Sequence, residues 1–292
     1  MSTDEGIPDR LALGSDLLAD GDLDEGLDEA VLADDGRLAA AVATAAGRAL
    51  VELRQRFSAS DLKDPKALKD AGDRLGHALI TAALKAYRPA DAVLSEEGAD
   101  DLARLEADRV WIVDPLDGTR EFSEPPRDDW AIHVALWERG AGTAGTAGTA
   151  GAVGELTAGA VALPAMNLTL ATYDVPVLAP ARSGRPRFMV SRTRPPAEAE
   201  HVASELGGEL VPMGSAGAKA MAVLLGEGDA YVHSGGQYEW DSAAPVAVAR
   251  AAGLHCSRID GSPLVYNQSN TLLPDLVICR PELAEGVLAA LA

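Results

Sequence analysis

Residues 111–122, WIVDPLDGTREF, constrain this chain more than any other stretch. Trp111, Ile112 and Val113 are bulky, apolar and β-favouring, and they predict a buried strand. Pro115 has no N–H for a sheet ladder, so the strand is expected to stop at Asp114 and the backbone to leave the sheet there. Asp117 follows one turn later, and Gly118 lets a ligand approach the backbone closely. Two carboxylates flank the carbonyl of Leu116, an oxygen-rich corner of the kind that hard divalent cations take. The N–H groups of Gly118 and Thr119 can face a phosphate, as at a helix start. An Asp-x-x-Asp pair alone is most often an acidic turn; the full run DPLDGT is far more specific.

The 292 residues can form one large domain or two smaller ones. A hydrophobic content of 47% with 24% charged residues is ordinary for a globular protein. The net charge of −20 argues against nonspecific binding to nucleic acid or to an anionic membrane. A phosphorylated substrate would be repelled as well, so bound cations would have to invert the field at a site for one. Cys256 and Cys279 lie in apolar surroundings and read as buried free thiols rather than a disulfide. The start, MSTDE, lacks a basic region and a signal-length apolar run, and no stretch approaches the ~20 apolar residues of a membrane span. A cytoplasmic protein is expected.

Residues 1–26 are acidic and Gly-rich, an expected mobile tail. Apolar residues at helical spacing (Val31, Leu38, Val42, Ala46, Leu50, Leu53) predict one long amphipathic helix over 27–57, weakly interrupted at Gly36. Asp73 stands before a second helix expected over 74–87, where the ordinary reading is an N-cap. A short strand at 92–94 leads into Glu96 and Glu97, by themselves a solvated turn. A strand over 128–137 holds His133, read as structural. The low-complexity tract at 140–154 has no large side chain to bury and reads as an expanded hairpin loop. Strand pairs resume over 155–173, and a Pro- and Gly-rich linker at 175–186 separates an N-terminal half (27–182) from a C-terminal half (183–292).

The second half alternates strand and helix: strands at 187–191, 209–212, 229–233 and 276–279, helices at 198–206, 214–225 and 281–291. Asp241 begins another helix, ending at Gly253, and its ordinary reading is again an N-cap.

DPLDGTREF resembles the signature of the inositol monophosphatase-like, Mg²⁺-dependent, Li⁺-sensitive phosphatases, and WDSAAP at residues 240–245 resembles their second signature. The two occur in the family's order, over a hundred residues apart. The likeness spans roughly residues 27–285 and is strongest to the bacterial 3'(2'),5'-bisphosphate nucleotidases. It implies a layered αβαβα sandwich with a metal site between two halves. It also implies two or three Mg²⁺ held by Glu96, Asp114, the carbonyl of Leu116, Asp117 and Asp241. Asp73, Thr119 and Glu97 would orient the attacking water. Glu96, Leu116, Asp117, Gly118, Thr119 and Asp241 would also line the substrate.

The implied reaction is hydrolysis of 3'-phosphoadenosine 5'-phosphate to AMP and phosphate, with no covalent intermediate. Arg194 stands where many nucleotidases of the family have His, Lys219 corresponds to a family Lys near the nucleotide, and Ser215 could meet the ligand from its helix start. Their ordinary readings are a solvated Arg, a surface Lys and an N-cap. Inositol 1-phosphate and fructose 1,6-bisphosphate are rival substrates for the same signatures. A catalytically silent nucleotide or metal binder is the rival from another class, weakened because every ligand carboxylate is present. Homodimerisation is a family expectation only.

Overall fold

The computed structural model describes residues 28–57, 64–141 and 154–292. The acidic tail and nearly all of the expected hairpin loop lie outside the described residues. The helix expected over 27–57 is two helices, α1 (Glu29–Leu32) and α2 (Asp35–Arg56). The break comes at Asp34, whose carboxylate caps α2 by accepting the Arg37 N–H (2.8 Å), while Gly36 lies inside its first turn. Helix α3 (Pro65–Tyr87) starts earlier than expected: Pro65 fits the first turn, where its missing N–H costs nothing, and Asp64 is the cap. Asp73 is therefore an interior residue of α3, not its N-cap.

The next elements are β1 (Ala92–Ser95), a 3₁₀ turn at Leu102–Glu106, β2 (Arg109–Asp117), α4 (Thr119–Phe122), β3 (Ala131–Glu138), β4 (Glu155–Leu163) and β5 (Leu168–Ala171). They form a sheet in the order β1-β2-β3-β4-β5, with β1 parallel to β2 and the rest antiparallel. The strand does not stop at Asp114. Asp114 pairs with His133 and Asp117 with Ala131, so residues 115–116 bulge out of register and the strand resumes. Pro115 costs one ladder bond without ending β2.

The remainder comprises β6 (Arg187–Ser191), α5 (Ala197–Glu205), β7 (Glu209–Met213), α6 (Ala216–Leu224), β8 (Ala230–Ser234), α7 (Glu239–Ala251), β9 (His255–Ser257), β10 (Asp275–Cys279) and α8 (Ala284–Leu291). Its sheet runs β7-β6-β8-β10-β9, parallel across β7-β6-β8 and antiparallel beyond.

Three apolar clusters explain the layering. Leu38, Leu50, Leu79 and Ile80 of α2 and α3 pack on Trp111, Val113 and Ile132 on one face of the first sheet. The other face, through Ile112, Ala135 and Val161, meets α6 and α7 and, beyond them, Tyr231 and Ile278 of the second sheet. Phe188, Val190 and Val277 on that sheet's far face pack on α5 and α8. The order is helices, sheet, helices, sheet, helices: the αβαβα sandwich. Cys256 and Cys279 are free, and burial pushes both thiols up to about 12. Among the described residues no helix is long and apolar enough to cross a membrane.

Candidate active site

The β2 bulge is pressed into place by α3. Gly72 and Gly76 lie one turn apart on the face of α3 that meets the bulge. A Cβ on Gly76 would stand 2.7 Å from the Pro115 carbonyl oxygen, and one on Gly72 would stand 2.8 Å from Leu116 Cδ2. Only a bare helix surface fits so close. Asp73 thereby sits beside the bulge, with its Oδ1 3.5 Å from Thr119 Oγ1, and that hydroxyl donates to the Leu116 carbonyl (3.1 Å). Gly118 turns the chain into α4 at φ 85°, a left-handed conformation suited to glycine.

Asp241 arrives from the other part of the chain. It is the third residue of α7 rather than its N-cap, and its Oδ2 accepts the N–H of Tyr238 (2.6 Å). Asp114, Asp117 and Asp241 offer oxygens all within 4.8 Å of one another. Asp114 and Asp117 are buried. Asp117 is held through one oxygen: Ser215 Oγ (2.6 Å) and the Gly217 N–H (2.8 Å) donate to its Oδ2, and His133 Nε2 lies 3.2 Å from the same atom, off the line of a good hydrogen bond. His133 Nδ1 is 3.0 Å from the Trp240 carbonyl oxygen, so this fully buried imidazole spans from Asp117 to the residue before Asp241.

The electrostatics are those of a crowded acid cluster. Burial first, then the charges of Glu96, Asp117 and Asp241, push Asp114 well above the ordinary carboxyl range. Burial and Asp117 raise Asp241 to about 7. Desolvation, with Asp117, Glu97 and Asp73 adding, raises Glu96 to about 7, although its outer side opens to solvent. Burial and Glu97 raise Asp73 to about 7. Asp117 alone goes down, because the adjacent imidazole of His133, then the Lys219 charge and the Ser215 hydroxyl, outweigh its burial. Asp117 in turn raises His133 despite burial. A set of carboxylates that resist ionising together, and offer only oxygen, fits a hard divalent cation. The structure thus brings Glu96, Asp114, Asp117 and Asp241 together, with Asp73, Thr119 and Glu97 alongside.

The substrate-side candidates lie differently. Ser215 does cap α6, accepting the Ala218 N–H (2.9 Å), but its proton goes to Asp117. Lys219 is no surface lysine: it is buried, its ammonium donates to the carbonyls of Gly214 and Ser215, and burial lowers it to about 8. Arg194 is exposed. Burial, with Lys219 and Arg194 adding, holds the nearby His233 down at about 4.

Sequence reasoning missed three supports. His133 read as packing, yet its register partner Asp114 marks it as a neighbour of the site. Asp129 accepts the N–H groups of Gly214 (2.6 Å, through Oδ2) and Ser215 (3.1 Å, through its carbonyl), fixing the start of α6. Buried Arg104 donates to Asp100 Oδ1 (2.7 Å), Asn267 Oδ1 (2.6 Å) and the Gln268 carbonyl (2.8 Å). The Asn267 and Gln268 N–H groups donate to Glu239 (2.6 and 2.7 Å). This network joins the loop after Glu97 to the first residue of α7. No local pattern announces it, since its members are over 160 residues apart in part.

The inositol monophosphatase family, a metal-dependent family, matches residues 34–292. A Mycobacterium leprae protein named 3'-phosphoadenosine 5'-phosphate phosphatase is 51% identical over 260 residues, covering 88% of this chain and 93% of the relative. The Escherichia coli 3'(2'),5'-bisphosphate nucleotidase CysQ is 30% identical over 214 residues, 70% of this chain and 81% of that one. The crystal structure of CysQ from Bacteroides thetaiotaomicron superposes with a TM-score of 0.67 at 26% identity, covering 84% of this chain and 97% of that chain. Fold, paired signatures and gathered carboxylates agree, and the chain belongs to the inositol monophosphatase family.

Proposed function

We propose that this protein is an Mg²⁺-dependent phosphomonoesterase that removes the 3'-phosphate of 3'-phosphoadenosine 5'-phosphate, releasing AMP and phosphate. The observation that carries the reading is the convergence of Asp114, Asp117 and Asp241, from distant parts of the chain, within 4.8 Å. The substrate is suggested by the name of the relative 51% identical over most of the chain.

Glu96, Asp114, Asp117, Asp241 and the Leu116 carbonyl would hold two or three Mg²⁺. When bound, the metals would neutralise the phosphate, lower the pKa of a water and stabilise the departing 3'-oxygen. The protein's own part is positioning. His133, Ser215 and the Gly217 N–H hold Asp117 ionised and aimed. Thr119, anchored on the Leu116 carbonyl and facing Asp73, orients the attacking water, with Glu97 beside Asp73. The N–H groups of Gly118 and Thr119 meet the phosphate. Water adds to phosphorus as the bond to the 3'-oxygen breaks, and that oxygen leaves as a hydroxyl, so no nucleophilic side chain is needed. Lys219 shapes the α6 start from within, and Arg194 with His233 offers a second polar patch for the distal phosphate.

The test is kcat/KM for 3'-phosphoadenosine 5'-phosphate, inositol 1-phosphate and fructose 1,6-bisphosphate, each with Mg²⁺ and with EDTA. The nucleotide should lead and EDTA should abolish turnover. A sugar phosphate in the lead overturns the substrate; turnover in EDTA overturns the metal requirement.

A further inference from the structure

Aromatic residues are scarce in this chain: four Trp, five Tyr and three Phe. Two of them are stacked at the edge of the acid cluster. The rings of Tyr238 and Trp240 lie 4.8 Å apart and 9° from parallel. Trp240 packs inward against the central core, while Tyr238 remains 42% exposed. Among the described residues the one other exposed Tyr or Trp is Tyr173, and its ring is covered by the Arg37 guanidinium at 5.1 Å. Tyr238 thus keeps solvent-exposed surface besides its stacking contact with Trp240.

Three further observations place Tyr238 beside the cage. The Tyr238 N–H donates to Asp241 Oδ2, so the ring is one side-chain length from a carboxylate of the cage. Before it run Gly235 and Gly236, at φ 82° and 70°, where an added Cβ would meet nothing within 4 Å. Beside it Leu272, 43% exposed, pairs with Tyr238 through an isolated antiparallel bridge. The result is an exposed aromatic ring with an apolar flank, anchored by a stack, a hydrogen bond and a bridge next to the acid cluster.

We propose that Tyr238, backed by Trp240, is the platform on which the purine base of the substrate stacks, and so sets the preference for a nucleotide over a base-free phosphate ester. The inference rests on the nucleotide reading above. A purine offers a π-face of the right area, and stacking asks for no hydrogen-bond partner beyond the ring. Trp240 holds Tyr238 in place before the ligand arrives, so little side-chain entropy is lost on binding. A small polyol phosphate gains nothing from the ring.

The experiment compares the full-length wild type with Tyr238→Ala and Tyr238→Phe. The quantity read is the ratio of kcat/KM for 3'-phosphoadenosine 5'-phosphate to that for β-glycerophosphate, which has no base. Tyr238→Ala should lower this ratio by about 5- to 150-fold, the range for losing one aromatic–base stack, mostly through KM. Tyr238→Phe should keep the ratio within about twofold, because the ring and not the hydroxyl carries the contact. If both substrates lose equally in Tyr238→Ala, or the ratio stays put, stacking on Tyr238 is refuted. A wild type that does not favour the nucleotide refutes the substrate reading itself, a result distinct from a wild-type preference that survives Tyr238→Ala.

Discussion

Replacing Asp241 by Asn should stabilise the metal-free protein. In the folded state Asp241 is raised from the ordinary 3.8 to about 7, first by burial and then by Asp117. A carboxyl raised in this way costs the fold nothing below pH 3.8, and the cost is complete above pH 7. At about 1.4 kcal/mol per pH unit, the rise corresponds to about 4 kcal/mol at pH 8. The repulsion is shared with Asp114, Asp117 and Glu96, which relax when one charge goes, so the expected net gain is about 2–3 kcal/mol. The Asn carbonyl can still accept the Tyr238 N–H, so the cap survives. The assay is urea unfolding followed by tryptophan fluorescence, at pH 8 and pH 5, in EDTA and in excess Mg²⁺. In EDTA the variant should be the more stable at pH 8, and its advantage should shrink to about 1 kcal/mol at pH 5. In Mg²⁺ the order should reverse, because ligand binding stabilises the wild type by mass action and the variant has lost a ligand. A variant less stable than wild type in EDTA at pH 8, or one with an undiminished response to Mg²⁺, would refute the reasoning.

Other outcomes follow from the same geometry. His133→Ala removes the group spanning Asp117 and the Trp240 carbonyl and should weaken Mn²⁺ binding by about 10- to 100-fold, read by calorimetry; an unchanged affinity would leave His133 a packing residue. Arg104→Met strands the partners of a buried guanidinium and should cost about 3 kcal/mol in urea unfolding. Because the network ends on Glu239 at the start of α7, its Mg²⁺ affinity should fall as well; loss of stability with intact affinity would show that the network does not aim Asp241. Mg²⁺ binding should expel protons at pH 7, since Glu96 and Asp241 lie at about 7 and Asp114 higher, and affinity should rise from pH 6 to pH 8. Calorimetry in buffers of different ionisation enthalpy measures the protons released, and a flat pH dependence contradicts the assignment.

The layers and the acidic residues were legible because they are written locally. Strand 187–191 and the helix starting near Ser215 follow from hydrophobic runs and turn residues, whereas the αβαβα order is what the family resemblance carried by two motifs implies. What escaped depends on contacts across the chain. Asp73 and Asp241 read locally as helix caps, because an Asp near a helix start is usually one, and it is the resemblance that assigns them to the water and the metal. Asp64 caps α3 and Tyr238 stands at the cap position of α7, so both Asp residues lie inside their helices with their carboxylates at the site. Pro115 reads by itself as a strand end, since the close approach of Gly76 that accompanies the bulge cannot be seen from residue 115 alone. For Lys219 the resemblance implies a place near the nucleotide and the ordinary reading is a surface lysine, because charge predicts exposure; two backbone carbonyls instead receive its ammonium in the interior.

The most direct measurement is anomalous diffraction at the manganese edge from crystals of the full chain soaked in Mn²⁺. The account predicts peaks within coordination distance of Asp114, Asp117 and Asp241, with Glu96 on the outer side. Peaks only elsewhere, or none at saturating Mn²⁺, would contradict it.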